Sequence, residues 1–452
     1  MTTQPSVIDG TEARAGAPRG WPSAGVGWYA VFVISLSLLV NFLDRGILAL
    51  LVPYIKSDLR LSDFQISLVM GFAFVMFYMI AGLPIARYAD RGHRRNLISF
   101  GLLLWSLATA MCAWSRSFVS LFAFRMGVGV GEACTGPASF SLLGDLFPPE
   151  KMPRVLAIMN FGFIAGTGLA LVIGGTIVQS LATAGAIVFP VFGPLRIWQA
   201  AFLLVGLPGL VVSLMMLSVP EPARRETGPQ PSIAQVLAFL VANRWVYGPL
   251  IATIAINTIV AVGSSSWGPA FYMRTFGWTI GRVGLTLGLV WLVVAPFGAM
   301  IGGSLAEALA RRGRHDANLL VVVLSMLVST PFAVLAPLMP TASLAIVMQA
   351  VAVFGAALLF GPQNAAIQVV TPNRMKGQVT AVVLFGFNII GFGLGPTVTA
   401  LFTDYLFRDE RQVGHALATC HALLGPLAFV IMLIGMKPYA RAVARMQRDG
   451  VS

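Results

Sequence analysis

The chain has 452 residues, of which 57% are hydrophobic and only 10% charged, with a mean hydropathy of +0.83. A water-soluble body carries roughly a quarter charged residues, so a soluble domain of this size is excluded. The formal net charge of +13, from 30 bases and 17 acids, would suggest nucleic acid in a soluble protein, but here the bases must first be sorted by membrane side.

In chain order, residues 1–27 form a polar tail rich in Gly, Pro and Ala, without the apolar core and cleavage site of a signal peptide. Twelve apolar runs follow, near 28–55, 64–88, 97–114, 118–146, 154–180, 196–219, 246–273, 280–308, 317–338, 342–370, 376–405 and 416–437. At roughly 20 to 25 residues per pass these are membrane helices, and a barrel would show short alternating segments instead. The expected class is an all-α integral membrane protein with twelve transmembrane helices. The N-terminus, the even-numbered connections and the C-terminus hold 20 of the 30 Lys and Arg, including Arg87, Arg91, Arg94, Arg95, Arg311, Arg312, Arg314 and Arg441. The positive-inside rule then puts both termini in the cytoplasm, at the inner membrane in a bacterial cell. Topology accounts for the basic charge, and no nucleic-acid partner is needed.

The chain also repeats itself at offsets of 216 to 225 residues. Pro53 answers Pro269, Gly71 answers Gly288, Asp90 answers Glu307, Gly136-Pro137 answers Gly361-Pro362, Phe161-Gly162-Phe163 answers Phe385-Gly386-Phe387, and Pro220 answers Pro438. A colinear series of this kind predicts two pseudo-symmetric six-helix bundles, 28–219 and 246–437. A proline-rich cytoplasmic linker over 220–245 joins them, and a tail occupies 438–452. Two parallel repeats around a midplane site is a transporter plan.

Four ionisable residues fall well inside predicted helices: Asp44, Arg45, Arg125 and Glu132. Each would cost roughly 2.5 to 3.5 kcal/mol or more facing lipid at the bilayer centre, so they are expected to face a cavity or one another. Arg125 and Glu132 lie two turns apart on one face, about 10 Å along the axis, too far for direct backbone-level contact. Asp44 and Arg45 point about 100° apart, so one can face the cavity while the other reaches a neighbouring helix. The functional expectation is that Glu132 or Asp44 takes a proton, that Arg125 tunes the acid, and that Arg45 binds the anionic end of a substrate. The competing reading is a fixed ion network holding the first and fourth helices together. The second half has no comparable buried charge: Ala357 answers Glu132. One charged wall and one apolar wall suit an amphiphile, with Asn41 beside the charges and Trp267, Phe271 and Trp291 as candidate tail contacts.

Two stretches carry a family resemblance. The loop Ala86-Arg87-Tyr88-Ala89-Asp90-Arg91-Gly92-His93-Arg94-Arg95 resembles the signature loop of the major facilitator superfamily, with Ala86 and His93 where that family usually has Gly. Its echo is Gly303, Glu307 and Arg311-Arg312-Gly313-Arg314. The fourth-helix segment Arg125-Met126-Gly127-Val128-Gly129-Val130-Gly131-Glu132-Ala133 resembles a second motif of that superfamily. Together with Gly144-Asp145-Leu146-Phe147-Pro148 and Asn41-Phe42-Leu43-Asp44-Arg45, it is similar to the Spinster branch. The resemblance implies the major facilitator fold and alternating access. It also implies a lipid-like anionic substrate of the sphingosine phosphate or lysolipid class, while an acid at a helix end facing bases makes Asp90, Arg91 and Glu307 a candidate cytoplasmic gate.

Cys112, Cys134 and Cys420 show no paired spacing, and His93, His315, His415 and His421 show no metal-ligand spacing. A GxxxxGK[ST] phosphate loop is missing, which disfavours ATP-driven transport. The expectation is a proton-coupled secondary transporter that functions as a monomer, with no cofactor and with protons, membrane lipid and a small amphiphile as partners. An uncoupled facilitator and an exporter of other amphiphilic molecules are the alternatives. A receptor or a lipid enzyme is disfavoured for want of an output domain or of a nucleophile with its base.

Overall fold

The computed structural model describes residues 21–89, 92–184, 187–189, 193–224 and 232–448. Among them are twelve helices long and apolar enough to cross a membrane, packed as two six-helix bundles. The spans are Ala24–Leu59, Asp63–Gly82, Arg94–Cys112, Phe118–Leu146, Ala165–Thr183, Ile197–Leu217, Arg244–Phe276, Ile280–Arg311, Ala317–Leu338, Ala342–Val369, Ile389–Phe407 and Glu410–Arg448. They are numbered first to twelfth below.

The departures from the expected boundaries have local causes. The fourth span is broken between Ala133 and Gly136, and the tenth between Ala357 and Phe360. Each break precedes a proline of the repeated Gly-Pro pair, Pro137 or Pro362, which lacks the N–H that a continuous helix needs. Two π-turns, Leu68–Phe72 in the second span and Phe402–Phe407 in the eleventh, have no signature in hydrophobic periodicity. The last helix runs to Arg448, eleven residues past its expected end at 437, because basic residues stop an apolar run without stopping a helix. Within the expected linker, residues 225–231 lie outside the described set, and Ile233–Ala242 is a short helix joined to the seventh span through Asn243. The sequence reading also missed a small antiparallel hairpin, Ile187–Phe189 with Gly193–Leu195.

The bundles meet along two seams, the second span against the eleventh and the fifth against the eighth. The fifth–eighth crossing depends on close backbone approach: a Cβ on Gly168 would lie 2.7 Å from the Gly288 carbonyl oxygen, and one on Gly288 the same distance from that of Gly168. Small residues allow this because membrane helices associate by packing rather than by escape from water. Both seams lie toward the end of the molecule that carries Leu59 and Phe276, here called the far end. Ala24 and Arg448 mark the near end.

Candidate functional site

The buried charges form two ion pairs on the inner side of the first bundle. Asp44 and Arg125 are each 1% exposed, with Arg125 Nη1 donating to Asp44 Oδ2 at 2.9 Å. Thr109 Oγ1, from the third span, donates to Asp44 Oδ1 at 2.9 Å, so both oxygens of this carboxylate are occupied. A pair buried this completely is held in place, because losing one partner strands the other charge at a cost of about 3 to 5 kcal/mol.

The second pair is arranged differently. Arg45 Nη2 donates to Glu132 Oε2 at 2.5 Å, with Glu132 2% and Arg45 26% exposed. The Asn41 amide lies against the same carboxylate, while Glu132 Oε1 has no hydrogen-bond partner among the described residues. The Arg45 guanidinium sits 4.4 Å from the centre of the Phe74 ring and 4.9 Å from that of Phe392. It is thus flanked by one aromatic from each bundle, in cation–π contact with both. Gly129 lets the fourth helix approach this close, since a Cβ there would collide with the Phe74 backbone.

Of the residues singled out in the sequence, the structure brings Asn41, Asp44, Arg45, Arg125 and Glu132 together. The pairing differs from expectation: Arg125 is bonded to Asp44 rather than placed to tune Glu132, and Arg45 holds Glu132. Trp267 and Phe271 are elsewhere. Trp267 is fully buried and donates from Nε1 to the Pro396 carbonyl at 2.9 Å, and Phe271 is packed in the same apolar core. Trp291 is partly buried against apolar neighbours. Asp90 and Arg91 lie outside the described residues. Glu307 is exposed and pairs at 3.6 Å with Arg311 on its own helix.

Sequence reasoning missed three sets of residues. Phe74 and Phe392, which flank Arg45, look in the sequence like any other apolar residues. At the near end Arg94, counted in the sequence only among the bases that set the topology, is 1% exposed. It bonds Glu221 at 2.9 Å, the Ser141 carbonyl at 3.0 Å and Asp145, tying the second-to-third connection to the fourth helix and the start of the linker. At the far end Asp63 is fully buried and joins the two bundles. It accepts from Arg274 Nη1 at 2.6 Å, Arg274 Nη2 at 2.8 Å and Lys56 Nζ at 2.8 Å. Lys56 also pairs with Glu410, and Asp404 accepts from the Phe64 amide at 2.7 Å. A partner 211 positions away leaves no local pattern in the sequence.

This architecture has known counterparts. The model for the Major Facilitator Superfamily matches residues 34–396. An "MFS-type efflux pump" of Mycolicibacterium smegmatis is 28% identical over 99% of this chain and 99% of its own length. A "Hexuronate transporter" of Bacillus subtilis is 25% identical over 90% and 95%, and the "Sphingosine-1-phosphate transporter SPNS2" of Danio rerio 25% identical over 90% and 82%. Among solved structures, a bacterial homologue of the human lysosomal transporter Spinster, in an inward-facing and unoccupied conformation, superposes with a TM-score of 0.76. It is 24% identical and covers 95% of this chain and 99% of that one. The chain belongs to the major facilitator superfamily of membrane transporters, with Spinster proteins among its relatives.

Proposed function

We propose that this transporter is proton-coupled and moves an amphiphilic anion of the sphingosine phosphate or lysolipid class by alternating access, with both termini in the cytoplasm. The observation that carries the reading is the Arg45–Glu132 pair. It joins an acid with one unpartnered oxygen to a cation that is partly open and flanked by two aromatic rings. Protonation of Glu132 removes the charge that holds Arg45, and the freed guanidinium can then receive an anionic headgroup. Proton and substrate therefore bind in favour of one another. Asp44, with both oxygens occupied by Arg125 and Thr109, is the structural acid of the cluster and Glu132 the titrating one. The ties at the far end support a state closed there, with Lys56, Asp63, Arg274 and Glu410 as the gate.

A second reading is favoured by the hexuronate relative: a sugar acid would present its carboxylate to Arg45 equally well. The test is flux by purified protein in proteoliposomes, with and without an imposed pH gradient, for a fluorescent lysolipid and for a labelled hexuronate. Lysolipid flux that follows the gradient, and loses that dependence in Glu132→Gln, is the expected result. Flux of hexuronate alone would overturn the amphiphile. Lysolipid flux indifferent to pH would make the protein a facilitator.

A further inference from the structure

The twelfth helix carries a surface pattern that transport does not use. Leu423, Leu427, Val430 and Ile434 are exposed along it, and the series continues through Lys437, Arg441, Arg445 and Arg448, all exposed. The steps are of three or four residues throughout, so at 100° per residue all eight positions fall within about 40° of a single line along the helix. A lipid-facing apolar stripe therefore passes directly into a basic stripe on the same face. The four bases span about 16 Å of axis, enough to cross the headgroup layer.

The opposite face of this segment is fixed to the protein. Tyr439 and Val443 are buried in an apolar cluster with Val236 and Tyr247, so the basic side cannot roll inward. Nothing on the helix neutralises it: between Val413 and Arg448 there is no acid. None of the four bases has a carboxylate partner among the described residues. The adjoining short helix packs through Val236 and exposes Ile233, Leu237 and Val241, with Trp245 just beyond. An exposed apolar row ending in Trp beside exposed bases is the composition of a membrane interface. We infer that Lys437, Arg441, Arg445 and Arg448 form a docking strip for anionic phospholipid headgroups of the near-end leaflet. The strip lies on the outer surface of the second bundle, distinct from the Arg45–Glu132 site.

The occupant follows from two features. Continuity with the apolar stripe puts the acyl chains of a lipid against Leu427, Val430 and Ile434 while its phosphodiester meets the bases. Several unpaired bases next to a membrane helix also favour anionic over zwitterionic headgroups, and more so at low salt. The test is native mass spectrometry of the full chain in micelles doped with phosphatidylglycerol or phosphatidylcholine. Variants are Lys437→Gln/Arg441→Gln/Arg445→Gln/Arg448→Gln, the milder Arg441→Gln/Arg445→Gln in case the quadruple variant misfolds, the control Arg311→Gln/Arg312→Gln, and Arg45→Gln for the inner site. Retained phosphatidylglycerol should exceed phosphatidylcholine in the wild type, the control and Arg45→Gln. It should fall by at least about tenfold in the quadruple variant, by less in the double variant, and decline as salt is raised. Wild-type retention in the stripe variants, equal retention of the two lipids by the wild type, or loss in Arg45→Gln alone would each overturn the assignment.

Discussion

Asp63→Asn tests whether the far-end ion cluster holds one conformation of the transporter. The native carboxylate accepts three charge-assisted hydrogen bonds, two of them from Arg274 of the other bundle. Removal of one partner of a buried pair costs about 3 to 5 kcal/mol. The lower end applies here, because Arg274 and Lys56 are 12% and 20% exposed and Lys56 retains Glu410. If the bundles rock, this contact exists only while the far end is closed, so about 3 kcal/mol is taken from that state alone. At 1.36 kcal/mol per decade the equilibrium moves by about two decades toward far-end opening. Spin labels at Val119→Cys and Leu406→Cys, exposed positions on opposite bundles near the far end, report this as a longer distance by pulsed electron resonance. Arg274→Gln should do the same, and the double variant should add little to either. An unchanged distance distribution in folded Asp63→Asn would refute the reasoning, since the cluster would then be a passive ornament of the loops.

Three further outcomes follow. Asp44→Asn leaves Arg125 buried without its counter-charge and should lower stability by about 3 to 5 kcal/mol, measured as a large drop in Tm in detergent; a small drop would mean water reaches Arg125. Phe392→Leu removes one aromatic flank that holds Arg45 in the anion-free state and should strengthen anion binding by about 0.5 to 2 kcal/mol while leaving Tm near wild type, read by substrate titration. At the near end, the hydrogen bond from Arg314 holds the Asp316 carboxyl below its ordinary range. A depressed pKa stabilises the fold above the unfolded value and loses that contribution as pH falls through the folded one, so Asp316→Asn should have a slightly lower Tm at neutral pH and match the wild type in strong acid.

The spans and the inner charges were legible because lipid imposes a strong rule: long apolar runs must be helices, and a charge within one must find a partner. That rule put Asp44, Arg45, Arg125 and Glu132 on one list but could not pair them, since pairing depends on the rotation of the first helix against the fourth. Legibility ends where the solvent is mixed. Arg94 and Asp63 sit at helix ends, where a charge has no penalty in the sequence, and the protein buries Arg94 against Asp145, 51 residues on, and Asp63 against Arg274, 211 residues on. Trp267 and Phe271 show the reverse: large aromatics in a helix of the second half suggested a substrate wall, and packing absorbed them into an apolar core. The eleven residues added to the last helix were hidden because arginine ends hydropathy while favouring helix.

Among the described residues every charge within the inner site comes from the first bundle, so under the proposed coupling a proton taken up there must be felt by a second bundle that places no charge beside it. Phe392 supplies the connection. Its ring lies under the Arg45 guanidinium, and its carbonyl is packed against Gly71 on the second span, where no Cβ could fit. The same residue thus belongs to the charge site and to the seam between bundles. While Glu132 is ionised, Arg45 is held by a carboxylate on one side and rings on the others, and the seam is stapled at its middle. Neutralising Glu132 leaves the cation–π contacts, worth about 0.5 to 2 kcal/mol, in place of a buried ion pair, and Arg45 is then free to follow an anion away from the ring. A coupling claim needs one two-state element that both ligands bias. Under the proposed proton coupling that element is the position of Arg45: protonation would release it, substrate would capture it, and the seam against Phe392 would read the result.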